Sequence, residues 1–278
     1  MNLAAAHPFG LATVTAYGSP SFTTLILDDE AAVALAALTG LAARMGLAVP
    51  PGLSEALTVW DNALPALTAL VSALAGDDIA ICHRGDIVPT ALLTPALLLP
   101  GTRQILRLRE QRTECLPVTV QAAAGGIVRL APQMRAARAN LCLAAVLGRA
   151  LYRAEPDAAQ AAIAGWALAL ELVMPQGNVS HAPGTLALGP YLVPASCADL
   201  GVEAVLGLMG RRVLAAPLSH FAQGAAASLA TLSQGMLLTP GDVILMGPDA
   251  AQDWPTIGEL DVIEAVAPGF GRLRLSLQ

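Results

Sequence analysis

Lysine is missing from this sequence: the 278 residues contain fifteen basic side chains, and all of them are arginine. Schiff-base enzymes, pyridoxal phosphate enzymes and P-loop nucleotidases each need a lysine amine at the reacting centre. The absence of lysine therefore excludes these three classes for this chain.

Charge, cysteine motifs and long apolar runs are also scarce. Charged residues make up only 13% of the chain, the net charge is −6, and no basic patch is present, so we expect no nucleic-acid partner. The four cysteines form no Cys-x-x-Cys pair, which excludes a zinc framework and a disulfide scaffold. No apolar run is long enough to span a bilayer and no signal peptide is evident, so we expect a cytoplasmic protein without a membrane partner.

Apolar residues, by contrast, are abundant. They account for 55% of a chain that is long enough to bury a sizeable core. With so few charges available, the surface must expose apolar groups or be covered by a partner. We therefore expect an oligomer.

Residues 1–95 are predicted to form a small α+β module. The segments LATVTAYG and FTTLILD alternate like the two strands of a hairpin. DDEAAVALAALTGLAARMG has acids in its first turn and predicts a helix, and LSEALTVWDNALPALTALVSALAG predicts a second helix or a pair divided near Pro65, with Ser54 as its N-cap.

Residues 96–278 are predicted to form a second, β-rich domain. Short apolar segments separated by Gly and Pro turns predict many strands, and GRLRLSLQ alternates most clearly. A helix is expected over EPDAAQAAIAGWALALELV, with Pro156 in its first turn, and another around FAQGAAASLATLSQG. The turn Thr239–Asp242 should lead into a strand over Val243–Met246. The predicted fold class is α+β, with a β-rich roll or sandwich.

Five segments of the second domain carry a family resemblance. In chain order they read LGPYLVPASCADLG, VLGLMGRRVLAAPLSHF, LATLSQGMLLTPGDVILMG, IGELDVIEAV and GFGRLRLSL. Together they resemble the C-terminal domain of the fumarylacetoacetate hydrolase superfamily. The resemblance implies a β-rich mixed-sheet roll over about residues 96–278, and a small N-terminal module of the kind that the family often carries.

The resemblance also implies a chemistry. Family members cleave, decarboxylate, hydrate or isomerise small oxo acids, usually as homodimers, with Mg²⁺ or Ca²⁺ held by three carboxylates. The three ligand positions fall on Asn140, Cys142 and Glu171, so that two of the three carboxylates are replaced. The lysine of the family site cannot be present, its place lying nearest Ser180 or His181. The second threonine of the family's Thr-Gly-Thr-Pro segment becomes Pro248.

The residues alone lead to the same expectation about the metal. Mg²⁺ and Ca²⁺ need several oxygen ligands, normally with two or more carboxylates. Between Glu114 and Glu155 the sequence has no carboxylate at all. We therefore predict that the metal site is lost and that no cofactor is bound, or that a metal binds only weakly.

The remaining polar residues form the predicted site. The catalytic candidates are Glu171, Glu114 and His181, and the substrate-binding candidates are Arg109, Arg112, Asn140, Cys142 and Gln176. Each has a structural alternative: Glu171 could pair with an arginine inside an apolar run, Glu114 could lie on a solvated face, and His181 could be an exposed loop residue. Arg107, Arg109 and Arg112 share a face, and could bind a carboxylate, if their segment is extended.

Three functions are compatible with this sequence. The first is an enzyme acting on a small oxo or β-diketo acid, with glutamates as acid/base groups and arginines holding the carboxylate. The second is a catalytically silent homologue that serves as a binding or structural subunit, as a homodimer or with an active paralogue. The third is a metal-independent tailoring enzyme such as a cyclase, dehydratase or decarboxylase.

Overall fold

The structure is a computed structural model, and it describes residues 8–16, 18–27, 29–76, 85–109, 112–130, 137–173, 185–247 and 255–278. Within these ranges the strands form three sheets. No helix in the described ranges has both the length and the apolar character needed to cross a membrane.

The first sheet is antiparallel and belongs to the N-terminal part of the chain. Its strand order is β4-β3-β2-β1-β5. The strands are β1 (Gly10–Thr15), β2 (Phe22–Ile26), β3 (Ala31–Ala34), β4 (Ile87–Pro89) and β5 (Thr94–Pro95). The predicted hairpin is confirmed, since β1 and β2 pair in register from Gly10 with Ile26 to Val14 with Phe22.

Three helices follow in this part of the chain, and the predictions about them are confirmed only in part. The helices are α1 (Thr39–Arg44), α2 (Leu53–Thr58) and α3 (Trp60–Leu74). The alanine-rich segment predicted as one helix begins instead as β3, because pairing with β2 and β4 outweighs the helix propensity of alanine. The second helix divides at Val59, Pro65 lies inside α3, and Gly52 rather than Ser54 stands at the N-cap of α2.

The middle sheet has eight strands and contains the longest pairing of the fold. Its order is β7-β6-β16-β10-β11-β12-β8, with β13 also paired to β11. The strands are β6 (Ile105–Arg109), β7 (Arg112–Leu116), β8 (Gln121–Ala122), β10 (Arg138–Leu147), β11 (Ile163–Val173), β12 (Leu186–Leu188), β13 (Val193–Pro194) and β16 (Val243–Met246).

The helix predicted over residues 155–173 is mostly a strand. Only α4 (Pro156–Ala161) is helical, and β11 follows it. Every residue of β11 is buried, because β11 is paired along both edges and its two faces belong to two different hydrophobic cores. A strand that is buried on both faces has a continuous apolar sequence, which cannot be distinguished by periodicity from a buried helix.

The third sheet has the order β15-β14-β17-β18-β9. Its strands are β9 (Ile127–Val128), β14 (Glu203–Leu208), β15 (Arg211–Pro217), β17 (Val262–Ala267) and β18 (Gly271–Leu277), and two further helices are α5 (Leu218–Ala222) and α6 (Ala225–Gly235). The predicted closing pair is confirmed as β17 and β18.

The two faces of the middle sheet have separate hydrophobic cores. One face packs against the third sheet with α5 and α6, through side chains such as Leu143, Phe221 and Leu275. The other face packs against the first sheet and its helices, through side chains such as Leu25, Trp60 and Val146. The fold is thus of the predicted α+β class, with a β-rich C-terminal part. The division at residues 95 and 96 stays a prediction.

Candidate functional site

The candidate site begins with the register between the two long strands of the middle sheet. Asn140 on β10 is directly opposite Glu171 on β11, and Cys142 is opposite Ala169. Because alternate residues of a strand share a face, Asn140 and Cys142 lie on the same side of the sheet. Cys142 belongs to the core that faces the first sheet. Asn140, Cys142 and Glu171 are therefore adjacent in space, although Glu171 lies 31 residues from Asn140 in the sequence.

Arg107 reaches the same place from the other side of β16. It lies on β6, in register with Leu245 of β16 and with Glu114 of β7. Its guanidinium group forms an ion pair with the Glu171 carboxylate. The Arg107 and Glu171 side chains are only 3% and 1% exposed. We call Arg107, Asn140, Cys142 and Glu171 the buried polar cluster.

Hydrogen bonds connect all four members of the cluster. Asn140 Nδ2 donates to Glu171 Oε2 at 3.3 Å and to Cys142 Sγ at 2.9 Å. Arg107 Nη1 donates to the same Cys142 Sγ at 4.0 Å. Among the described residues, Asn140 Oδ1 has no hydrogen-bond partner. The amide thus presents its NH₂ group to the carboxylate, as it must, because an ionised carboxylate only accepts hydrogen bonds.

The ion pair explains how a carboxylate can lie in an apolar strand. An isolated buried carboxylate is very unfavourable, and a partner with opposite charge offsets that cost only if both are well hydrogen-bonded. Of the two interpretations of Glu171 left open by the sequence, the pair with an arginine is present in the structure. The arginine concerned is Arg107, which the sequence alone indicates only as a possible carboxylate binder. The available signal was the apolar segment QILRL, in which Arg107 follows the buried residues Ile105 and Leu106.

The other predicted site residues lie either on the β6–β7 hairpin or outside the described residues. Glu114 is half-buried, at the register position opposite Arg107. Arg109 and Arg112 are opposite each other at the end of the same hairpin, which is extended as the shared-face hypothesis required. Their side chains lie outside the part of the chain that is described, as do the residues Gln176 and His181 entirely.

The end of β16 lies beside the cluster and is tightly packed. A Cβ atom added at Gly247 would be 3.3 Å from Cys142 Sγ and 3.4 Å from the Leu141 carbonyl oxygen. The turn before β16 has the predicted form, with Gly241 at φ 86° and the Asp242 carboxylate accepting a hydrogen bond from the Thr239 amide at 2.6 Å. Pro248, which follows Gly247, lies outside the described residues.

A cavity of about 390 Å³ is present elsewhere, between the first and third sheets. Its wall includes Ala12, Ile26, Asp29, Tyr191 and Arg272, and the Tyr191 hydroxyl donates to the Asp29 carboxylate. None of the lining residues belongs to the buried polar cluster. The cavity and the cluster are therefore separate features.

Comparison with known proteins decides the family. The family whose sequence model matches is "Fumarylacetoacetate (FAA) hydrolase C-terminal", and the match covers residues 115–278, more than half of the chain. The chain belongs to the fumarylacetoacetate hydrolase family. No curated protein sequence gives a significant match.

Solved structures with the same fold agree with this assignment. Maleylpyruvate hydrolase from Sphingobium sp. SYK-6, in complex with manganese(II) ion and pyruvate, has a TM-score of 0.74 and 18% identity, covering 96% of this chain and 98% of that one. A probable 2-hydroxyhepta-2,4-diene-1,7-dioate isomerase from Mycobacterium abscessus has a TM-score of 0.71 and 19% identity, covering 97% and 98%. At such identities the likeness establishes the fold.

The donors at the candidate site of this fumarylacetoacetate hydrolase family member do not fit a hard divalent cation. The Glu171 carboxylate already neutralises Arg107, Asn140 directs its NH₂ group inward, and Cys142 offers sulfur. Magnesium, calcium and manganese prefer several oxygen ligands, including carboxylates. In the described ranges, no group of three or more His, Cys, Asp or Glu residues could hold a metal ion.

Proposed function

We propose that this chain acts on or binds a small oxo or β-diketo acid, in the class of C–C hydrolysis, decarboxylation or isomerisation, without the divalent metal of its family. The observation that carries the proposal is the ion pair between Arg107 and Glu171 within the buried polar cluster. It brings a carboxylate and a permanent positive charge together, on the strands to which the family resemblance assigns the site.

Family membership supports the substrate class. The Sphingobium protein with this fold is a maleylpyruvate hydrolase that was solved with pyruvate. The Mycobacterium abscessus protein is a probable isomerase of a hydroxydienedioate. Maleylpyruvate and the dioate both carry carboxylates beside an oxo or enol group, and that combination is the ligand chemistry we propose for this chain.

Arginines would hold such a ligand. Arg109 and Arg112 are at opposing register positions in the β6–β7 hairpin, two residue pairs beyond Arg107 and Glu114. Guanidinium groups bind carboxylates through paired hydrogen bonds and stay charged at every physiological pH. We assign substrate-carboxylate binding to Arg109 and Arg112.

Proton transfer would fall to the glutamates. Enolisation of an oxo acid removes a proton from the carbon beside the carbonyl group, a step that a positioned carboxylate performs as general base. Glu171 and Glu114 are the candidates, with His181 as a third. The arginines would stabilise the negative charge that develops on the enolate oxygen.

The test is turnover of maleylpyruvate, acylpyruvates and oxaloacetate by the purified chain, with and without EDTA. We expect turnover that does not change when the chelator is added. Turnover that disappears with EDTA and returns with Mn²⁺ or Mg²⁺ would contradict the metal-free part of the proposal. Absence of turnover together with absence of pyruvate and oxalate binding in calorimetry would contradict the substrate class.

Variants assign the carboxylate contact. Arg109→Ala and Arg112→Ala should raise KM or Kd by roughly tenfold or more, the scale of losing one charge-assisted hydrogen bond. Arg211→Ala is the matched control, because Arg211 is an exposed arginine at the start of a hairpin strand in the third sheet. An equal effect of all three variants would show that the hairpin arginines of the middle sheet have no specific role.

A second candidate function is a catalytically silent homologue that binds the acid or serves as a subunit. The observation that favours it is the closure of the cluster, whose four residues are each no more than 2% exposed. Binding of pyruvate or oxalate without turnover of any substrate would support this alternative over the enzyme.

Assembly and location remain predictions. We propose a homodimer, or a heteromer with an active paralogue, and a cytoplasmic location. Exposed apolar side chains on the third sheet and its connecting segments, such as Ile127, Met209 and Leu260, are the kind of surface that a partner covers. Light scattering coupled to size-exclusion chromatography measures the assembly directly, and a monomer at micromolar concentration would contradict it.

A further inference from the structure

The side chains at the three positions assigned to metal ligands converge on one point. Glu171 Oε2 and Cys142 Sγ both accept a hydrogen bond from Asn140 Nδ2. The same two acceptor atoms are contacted by Arg107, Glu171 through the ion pair and Cys142 at 4.0 Å. The guanidinium group therefore lies where a cation shared by the three positions would lie.

The charge at this point is permanent. Arginine is not deprotonated in proteins, and Arg107 is 2% exposed, so that little solvent screens its charge. A divalent ion entering the cluster would meet this positive charge at contact distance, with the Glu171 carboxylate already neutralised. Loss of the two family carboxylates and gain of an internal guanidinium thus both weaken the binding of a divalent ion.

We propose that Arg107 is an internal cation that replaces the divalent metal of the family and excludes it by charge. It neutralises Glu171 and accounts for the tolerance of Asn140 and Cys142 at the other two positions, because a single positive charge needs only one carboxylate. Restoring the carboxylates is then not sufficient to restore a metal site. Arg107 must also be removed.

This inference rests on the metal-free part of the proposed function and does not depend on the substrate. Cation binding is measured without substrate, so the two can fail separately. If oxo acids neither bind nor react, Arg107 can still be the internal cation. If Mn²⁺ binds the unmodified chain, Arg107 does not exclude metal, whatever the substrate proves to be.

The experiment measures Mn²⁺ binding by the loss of the free-ion signal in electron paramagnetic resonance. Four proteins are compared: the unmodified chain, Arg107→Met, the double variant Asn140→Glu/Cys142→Glu, and the triple variant that combines all three changes. Methionine keeps the approximate length of the side chain while removing its charge. The double variant keeps the guanidinium beside restored carboxylates, and so isolates the effect of the Arg107 charge.

We expect no binding by the unmodified chain at 1 mM Mn²⁺. This concentration is roughly the Kd of the weakest ordinary divalent-cation sites. The triple variant should bind Mn²⁺ roughly 100-fold more tightly than the double variant, the order expected for removing one neighbouring charge in a partly screened interior. Equal affinity of the double and triple variants, or clear binding by the unmodified chain, would overturn the proposal.

A thermal measurement decides the matter if the triple variant does not fold. Arg107→Ala leaves Glu171 without its guanidinium partner and leaves space beside it. Millimolar guanidinium ion should then raise the Tm of Arg107→Ala and leave that of the unmodified chain unchanged, because a ligand that binds only the folded state stabilises it. Identical responses of the two proteins would show that Arg107 does not occupy a cation position.

Discussion

Removal of either partner of the Arg107–Glu171 ion pair should destabilise the protein much more than removal of both. The perturbations are Arg107→Met, Glu171→Leu and the double variant. Each single change leaves a charge in a place where the side chains are 3% and 1% exposed. The double change leaves apolar side chains of comparable volume, and the Asn140 amide keeps its hydrogen bond to Cys142 Sγ.

The magnitude follows from this burial. Breaking a buried ion pair by removing one partner costs about 3–5 kcal/mol, whereas replacing the whole pair with apolar residues is often neutral or stabilising. The Asn140 amide still donates to Glu171 at 3.3 Å when Arg107 is changed, so that we expect the lower end of this range for Arg107→Met. For a chain of this size, 3 kcal/mol lowers Tm by roughly 6–12 °C.

The assay is a double-mutant cycle by urea unfolding, with Tm from calorimetry as a second readout. We expect each single variant to lose more free energy of unfolding than the double variant loses. This corresponds to a coupling free energy of about 3 kcal/mol or more between the two side chains. The exposed pair Arg212–Glu203 is the matched control, with a contact of 2.9 Å and side chains 59% and 53% exposed. The same cycle there should give a coupling of about 0–1 kcal/mol.

Two results would refute the reasoning. The first is a coupling at the buried pair no larger than that of the exposed control. The second is a double variant as unstable as the sum of the two single variants. In either case Glu171 would not depend on the guanidinium charge of Arg107, and the internal-cation proposal would lose its basis.

Three further predictions concern packing and pH. Burial raises the pKa of Asp242 above its ordinary value of 3.8, against the opposing effect of the Thr239 hydrogen bonds, so the folded state holds this proton more tightly than the unfolded state. The free energy of unfolding should therefore fall as pH rises from 3.8 to the pKa of the folded state. Over that pH range the stability of Asp242→Asn should rise relative to that of the unmodified chain. Urea midpoints of the two proteins that change in parallel with pH would contradict this. Gly165→Ala should cost about 1–3 kcal/mol or more in urea unfolding, because the new Cβ would overlap the Val193 carbonyl oxygen, and an unchanged midpoint would refute the close approach. Trp60→Ala should cost about 3–5 kcal/mol, since the 6%-exposed ring packs in the core between the N-terminal helices and the middle sheet; a loss below 1 kcal/mol, measured in the same way, would show that this core is loosely packed.

The strands that alternate in sequence were predictable, and those buried on both faces were not. GRLRLSLQ forms β18 as expected, because one face of that strand is buried and the other is exposed. The segment from Ile163 to Val173 forms β11 although its sequence predicts a helix, because its apolar residues are continuous and alanine and leucine favour helices. The strand partners on both sides, which decide its conformation, are distant in sequence.

The candidate site is likewise predictable only in part from the sequence. The family resemblance of the sequence points to Asn140, Cys142 and Glu171, and the family match places this chain in the fumarylacetoacetate hydrolase family. The sequence does not show that Arg107 is the partner of Glu171, because 64 positions separate them and β16 and β10 lie between β6 and β11 in the sheet. The position of Glu114 opposite Arg107 likewise depends on the register of the β6–β7 hairpin, which the sequence does not show.

The sequence by itself determined which chemistry the chain can hold. The complete absence of lysine, the carboxylate-free segment between Glu114 and Glu155 and the turn before Val243 are properties of the residues and need no coordinates. The tertiary structure alone decided which groups share a location. Strand order and register join a guanidinium on β6 to a carboxylate on β11, and low solvent exposure makes that contact strong, because charges attract most where water is excluded.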